Sequence, residues 1–260
     1  ARENALFVHV TYVPFIRTAG ELKTKPTQHS VMSLREIGVQ PDIIICRSEK
    51  PMPPEVKRKI SLFCNVPPEN VIAAVDVPSV YEIPVAFAEE GLDQRITDQL
   101  NIWAREVNLA DWKRIVERIR NAKTEVTIAI VGKYVDLIES YKSLNEALLH
   151  GGIANACKVK LHFIEAEDLE AADDCEALLA MADGILIPGG FGTRGTEGKI
   201  RAITCARTRN VPFLGICLGL QLATIEFARS VCGKADANST EFDAKSSYPI
   251  VNLLPEQRDV

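Results

Sequence analysis

The stretch VPFLGICLGLQ, residues 211–221, constrains this chain more than any other. It opens with apolar residues, as a buried parallel strand does. It turns at Cys217, between Gly215 and Gly219, and residues 220–229 continue with helical spacing and without Gly or Pro. Strand, sharp turn and helix, with a reactive residue at the turn, are the parts of a nucleophile elbow, here with Cys in the place of Ser. So tight a turn needs neighbours without side-chain bulk. A helix starting behind Cys217 aims backbone N–H groups and its positive dipole end at the sulfur, which favours the thiolate. A lone cysteine is most often a small buried apolar residue; glycines on both sides of it, after an apolar strand, reverse that reading.

A second element fits the same chemistry. ILIPGGFG, residues 185–192, is another apolar run ending in consecutive glycines. Gly189 and Gly190 can present backbone N–H groups as half of an oxyanion hole, and the N–H of Leu218 supplies the rest. One such donor contributes about 3 kcal/mol of transition-state stabilisation.

The bulk properties bound the rest. The chain has 260 residues, 47% hydrophobic and 25% charged, which suits a globular protein of one large or two ordinary domains. No apolar run reaches the length of a membrane span, and the N-terminus lacks the regions of a signal peptide. Seven scattered cysteines without a C-x-x-C pair point to reduced thiols and a cytoplasmic setting. With a formal net charge of −5 the global field does not recruit nucleic acid, so any phosphate site rests on local Lys and Arg.

Residues 1–101 alternate strand and helix signals: strands over 5–13, 41–46 and 71–75, helices over 30–38 and 53–64. Residues 102–124 are amphipathic, charged and strandless, including WAREV at 103–107, and read as a helical connection. A second βα series runs from 125 to 260, with strands over 126–131, 159–164 and 185–187. Its helices are expected over 141–150, closed by Gly151 and Gly152, over 175–181 and over 197–209. The fold class is therefore α/β, two doubly wound and mostly parallel sheets. The two glycine-bearing strand ends fall on the carboxyl edge, where such sheets place their sites. GELKTKPTQ, residues 20–28, reads as an extended loop stiffened by Pro26. Lys23 and Lys25 would share one face of it and Thr24 the other. Two ammonium groups beside hydroxyls suit a triphosphate.

PGGFG followed by GICLGLQ resembles the class I glutamine amidotransferases. GELKTKPTQ and NSTEF (238–242) narrow the resemblance to the CTP synthase family, over essentially the whole chain from His9 onward. The resemblance implies amination of UTP to CTP, driven by ATP, with ammonia from glutamine hydrolysis. It implies Cys217 as nucleophile, and glutamine held by Gly189, Leu218, Gly219, Leu220, Gln221 and Glu241. It places UTP, and CTP as inhibitor, on Lys23, Thr24, Lys25, Pro26, Thr27, Gln28 and Lys59. It places ATP on Val75, Asp76, Val77 and Arg47, and the activator GTP beside Phe191 and Arg194. Mg²⁺ and a homotetramer come with it, and neither nucleic acid nor membrane. No GxxxxGK[ST] phosphate loop occurs, and His9, His29, His150 and His162 all precede Cys217. The expectation is a piece of a longer enzyme, without its phosphate loop and His-x-Glu pair, containing no metal ligand and inactive alone. Two other readings stay open: another class I amidotransferase, and a non-catalytic regulatory or filament-forming relative.

Overall fold

The computed structural model describes residues 5–105, 107–133 and 141–252. Two units divide the chain, Ala1–Glu117 and Arg118–Val260. In the first, β1 (Val8–Tyr12) is followed by a short antiparallel pair, β2 (Phe15–Ile16) and β3 (Glu21–Leu22). Then come α1 (Lys25–Glu36), β4 (Ile43–Ser48), α2 (Pro54–Cys64) and β5 (Val71–Val75). Helices α3 (Ile83–Glu89), α4 (Leu92–Gln99) and α5 (Ala110–Asn121) follow, and the division between units falls within α5. The sheet is parallel, in the order β1-β4-β5. Its middle strand is buried from Ile43 to Cys46, as a strand covered on both faces must be.

The second unit carries β6 (Thr124–Gly132), α6 (Lys142–Ala154), β7 (Cys157–Glu165), α7 (Ala166–Ala171), α8 (Cys175–Leu178) and β8 (Gly184–Ile187). It continues with α9 (Thr196–Thr208), β9 (Phe213–Gly215), α10 (Leu218–Ser230), β10 (Ala237–Ser239) and β11 (Tyr248–Val251). Its main sheet is parallel in the order β7-β6-β8-β9, and β10 pairs with β11 beside it. The order reverses between β6 and β8, so the crevice at their carboxyl ends is the place where an open sheet holds ligands. No described helix is long and apolar enough to cross a membrane.

Four local expectations are corrected. Helix α1 begins at Lys25, not near residue 30, so Lys23 and Lys25 do not share a face of one extended segment. Pro26 sits in the first turn, where its missing N–H has no helical partner to lose and its fixed φ suits the helix. Gly151 and Gly152 do not close α6, which runs on to Ala154. A methyl on Gly152 would lie 2.6 Å from Val159 Cγ2 and 2.8 Å from the Cys157 carbonyl oxygen, so this glycine lets the helix settle on β7. α8 ends at Leu178, short of 181, because Leu179 turns into the core. Residues 102–105 and 107–109 are not helical. Asn101 leaves α4 with a left-handed φ of 51°, and Asn108 Oδ1 accepts from the Ala110 N–H (3.0 Å), starting α5 there.

One buried ion pair ties α9 to α10. Glu226, 1% exposed, accepts from Arg207 Nε and Nη2 (3.1 and 2.9 Å) and from Thr204 Oγ1 (3.1 Å). Burial alone would push this carboxyl up; hydrogen bonds from Arg207, Ser230 and Thr204, with the guanidinium charge, hold it below its ordinary value. Arg207→Ala strands a buried carboxylate and is expected to destabilise the second unit by about 2–3 kcal/mol at pH 7, reduced from a fully buried pair because Arg207 reaches solvent. A carboxyl depressed in the folded state contributes stability above its unfolded pKa and loses it as pH falls through the folded one. The urea midpoints of parent and variant should therefore converge below pH 4.5. A gap that persisted in acid would assign the loss to packing instead.

Candidate active site

β9 ends at Gly215, and Cys217 precedes the first helical residue of α10. Its backbone is at φ 52°, ψ −106°, a conformation that L side chains seldom adopt. Close contacts lock it there. The Ile216 N–H donates to the Ile187 carbonyl (2.9 Å), joining the elbow to the end of β8, and the Gln221 N–H donates to the Cys217 carbonyl (3.2 Å). The thiol is exposed, and its sulfur makes no hydrogen bond among the described residues. Cys46 is the contrast: it is a core thiol that burial, aided by Cys64, pushes up to about 12.

The PGGFG loop leaves β8 directly opposite. A methyl on Gly189 would lie 3.6 Å from Cys217 Cβ, and one on Gly190 would lie 3.4 Å from Leu218 Cδ2. Among the described residues the N–H groups of Gly189, Gly190 and Leu218 have no acceptor. These free donors belong to the loop and the helix start that adjoin Cys217. The loop is clamped from two sides. Lys133, just beyond β6, donates through Nζ to the carbonyl oxygens of Phe191 (2.7 Å) and Gly192 (3.4 Å). Glu241, brought in by the turn after β10, accepts from the Gly192 N–H at 2.9 Å. Gln221 lies half-buried in the first turns of α10 beside exposed Leu220, while Gly219 is packed underneath. Phe191 is 83% exposed, and Arg194 donates to both oxygens of Glu167 (2.6 and 2.5 Å), whose carboxyl is held low by that hydrogen bond.

Among the described residues of the second unit, neither histidine is hydrogen-bonded to the thiol. His9 donates to or accepts from Ser30 Oγ (2.8 Å) in the first unit, where His29 also lies on α1. His150 lies 4.0 Å from Glu146 on α6, and His162 is inside β7.

Two cavities are lined by described residues of the first unit. One, of about 410 Å³, is walled by Val10, Ile45, Val77 and Phe87, with Val75, Asp76 and Arg47 around it. Arg47 Nε donates to Asp76 Oδ1 at 3.1 Å. The structure thus brings together all four residues that the sequence reading grouped around one nucleotide. The other, of about 470 Å³, is lined by Thr24, Lys59, Lys50, Gly20 and Glu21. Lys23 is ion-paired with Glu21 on its rim. Lys25 and Pro26 open α1, and Gln28 Nε2 donates to Thr24 Oγ1 (3.0 Å). Thr27 is buried against Thr11 (3.2 Å), away from the cavity wall. Among the described residues no three His, Cys, Asp or Glu side chains are placed to hold a metal.

Sequence reasoning missed Lys133 and Lys199. Lys199 occupies the 199, 202, 203, 206 stripe of α9, whose other members Ala202, Ile203 and Ala206 are buried. A lysine on an apolar stripe was the signal available.

Two family models match this chain. A family model described as glutamine amidotransferase class-I matches residues 136–252, so the second unit belongs to that class. A model described as CTP synthase N-terminus matches residues 1–102. The chain is 56% identical over 259 residues to a CTP synthase of Syntrophus aciditrophicus, covering 100% of this chain and 48% of that protein. It is 57% identical over 258 residues to one of Geobacter metallireducens, covering 99% and 48%. The chain belongs to the CTP synthase family, and it spans about half the length of the curated relatives it matches. A solved Trypanosoma brucei CTPS glutaminase domain with bound acivicin aligns with a TM-score of 0.49 at 40% identity, covering 51% of this chain and 52% of that one.

Proposed function

We propose that a protein containing this chain makes CTP by ATP-dependent amination of UTP, using ammonia released from glutamine at Cys217. The observation that carries this is the strained, exposed Cys217 beside the PGGFG loop with its free N–H groups, in a chain more than half identical to proteins named CTP synthase. The thiolate adds to the side-chain amide carbon: an S–C bond forms and the carbonyl π pair moves onto oxygen, toward Leu218 and Gly190 N–H. When that pair returns, the C–N bond breaks, and nitrogen takes up a proton and leaves as ammonia. Water then hydrolyses the thioester, giving glutamate and the free thiol. Glu241, with Gly189, Gly219, Leu220 and Gln221 nearby, is the carboxylate for the substrate's ammonium; in the structure it holds Gly192 instead.

Residues 1–101 act as part of the synthetase, 102–124 as connection and 125–260 as glutaminase. The 410 Å³ cavity, apolar with Arg47 and Asp76 at its edge, suits a purine base. The 470 Å³ cavity with Lys59, Lys50 and Thr24 suits a triphosphate, with Lys23, Lys25 and Gln28 close by. ATP supplies the phosphoryl group that activates the uracil 4-oxygen. Mg²⁺ is assigned to no residue here, and no step is derived through it. GTP activation near Phe191 and Arg194, CTP inhibition, a homotetramer and a cytoplasmic setting complete the reading. All seven cysteines are free thiols, which suits a reducing compartment.

Lys25→Ala and Lys59→Ala should each weaken UTP and CTP together, about ten- to hundredfold, since a charge-assisted hydrogen bond contributes roughly 1.5–3 kcal/mol. Titration of both nucleotides checks this. Affinities within about twofold of the parent would make the basic loop a solvated turn and withdraw the triphosphate assignment.

A further inference from the structure

Lys199 is a buried ammonium that the reaction above leaves unused. It lies in the first turns of α9 and is 1% exposed, among the most deeply buried large side chains of the protein. No hydrogen bond or ion pair joins it to a described residue. A methyl on Gly190 would come within 3.9 Å of its Nζ, so the ammonium lies against the peptide backbone of the candidate oxyanion loop.

The charges of the described residues around it do not balance it. Burial, then the repulsion of Lys133, lowers its pKa to about 8, against a weaker pull from Glu165 at the end of β7. Two further carboxylates among the described residues of these elements have partners. Glu167 after β7 is held by Arg194, and Glu197 on the same helix by Arg229. A largely buried cation with no paired counter-charge among the described residues is unfavourable, and a methionine would fill the space without that penalty. Such an arrangement makes physical sense where a negative charge arises nearby during function.

We propose that Lys199 is a positioning residue of the thiol site: acting across the Gly190 peptide, its ammonium stabilises the oxyanion formed when Cys217 adds to an amide carbonyl. This rests on the reading of Cys217 as nucleophile. In the addition the sulfur lone pair becomes the S–C bond and the π pair becomes the charge on oxygen. One negative charge thus moves from sulfur toward Gly190 and Lys199, and no proton is transferred. A fixed charge in a water-poor site stabilises such a shift without reorganising.

The test uses the 260-residue chain and two probes of the same thiol. Iodoacetamide alkylates the sulfur with loss of iodide and creates no oxyanion. An aldehyde analogue of glutamine, with CHO in place of the side-chain amide, adds the thiolate and places its oxygen in the hole. Lys199→Met, and Lys199→Gln as a second variant, should keep the Cys217 alkylation rate within about twofold. They should weaken aldehyde binding about tenfold at pH 7, less than the 10²–10³ of a direct donor. The parent's advantage should fade as pH rises through about 8, and neither variant should show that limb. A merely structural lysine would move thermal stability and leave the pH profile alone. Aldehyde affinity within about twofold of the parent in both variants, with the limb intact, overturns the proposal. If Cys217→Ala binds the aldehyde as tightly as the parent does, the nucleophile reading itself fails, and the proposal falls with it.

Discussion

Cys217→Ala is expected to abolish glutamine-dependent CTP formation, by a factor on the order of 10⁴–10⁶, the scale of losing a nucleophile outright. The measurement belongs in a protein of the relatives' full length carrying this sequence, assayed with glutamine and, separately, with an ammonium salt. Ammonia-dependent synthesis should survive nearly unchanged, because the nucleotide cavities and the thiol lie in different units. Structural damage is not expected. The thiol is exposed, and removing an exposed sulfur leaves no cavity in the core. Alanine must adopt the same φ of 52°, which it tolerates about as well as cysteine does. Equal loss of both activities would show that Cys217 supports the fold and that the nucleophile is elsewhere.

The parts of this site written in short, contiguous motifs were legible in the sequence. Gly215, Cys217 and Gly219 sit within five residues, and an apolar strand ahead of them leaves few conformations that a chain can take. The PGGFG loop is legible for the same reason. Strand β5 is legible to both its ends, 71 and 75, because a short apolar run bounded by Asn70 and Asp76 has little room to shift. What depends on tertiary contact was not legible. Nothing local says that Gly152 stays inside a helix, since the reason is the surface of β7 beneath it. The first turn of α1 was missed because Pro26 reads as a breaker unless it is placed at a helix start. The clamp on the PGGFG loop joins Lys133, Gly192 and Glu241, residues 59 and 49 positions apart, and only the folded sheet edge brings them together. The grouping of Arg47 with residues 75–77 was available only through family resemblance; its physical basis is the parallel register of β4 on β5, which sets Arg47 opposite Ala74 and Ser48 opposite Val75.

Gly219→Ala is expected to cost the second unit about 3–5 kcal/mol, even though Gly219 is helical and alanine is the better helix former by roughly 1 kcal/mol. The added methyl would lie 2.3 Å from the Ile187 carbonyl oxygen and 3.1 Å from both the carbonyl carbon and Cβ of the same residue. These are backbone or near-backbone atoms, so no rotamer change relieves the contact. The same carbonyl already accepts from Ile216 N–H at 2.9 Å, so moving it breaks the bond that seats the elbow on β8. Gly215 faces the helix start from the other side. A methyl there would meet the carbonyl carbon of Gly219 at 2.5 Å, which closes the direction in which α10 could retreat. Gly151→Ala is the internal control. It too is a helical glycine of the second unit, but nothing lies within 4 Å of its missing methyl, and it should raise stability by roughly 0.5–1 kcal/mol. Urea denaturation of the parent and both variants checks the opposite signs. If Gly219→Ala unfolds at the parent's midpoint or above it, the backbones of β8 and α10 are not in contact at this point. The tight turn would then not be what holds Cys217 at its strained angle.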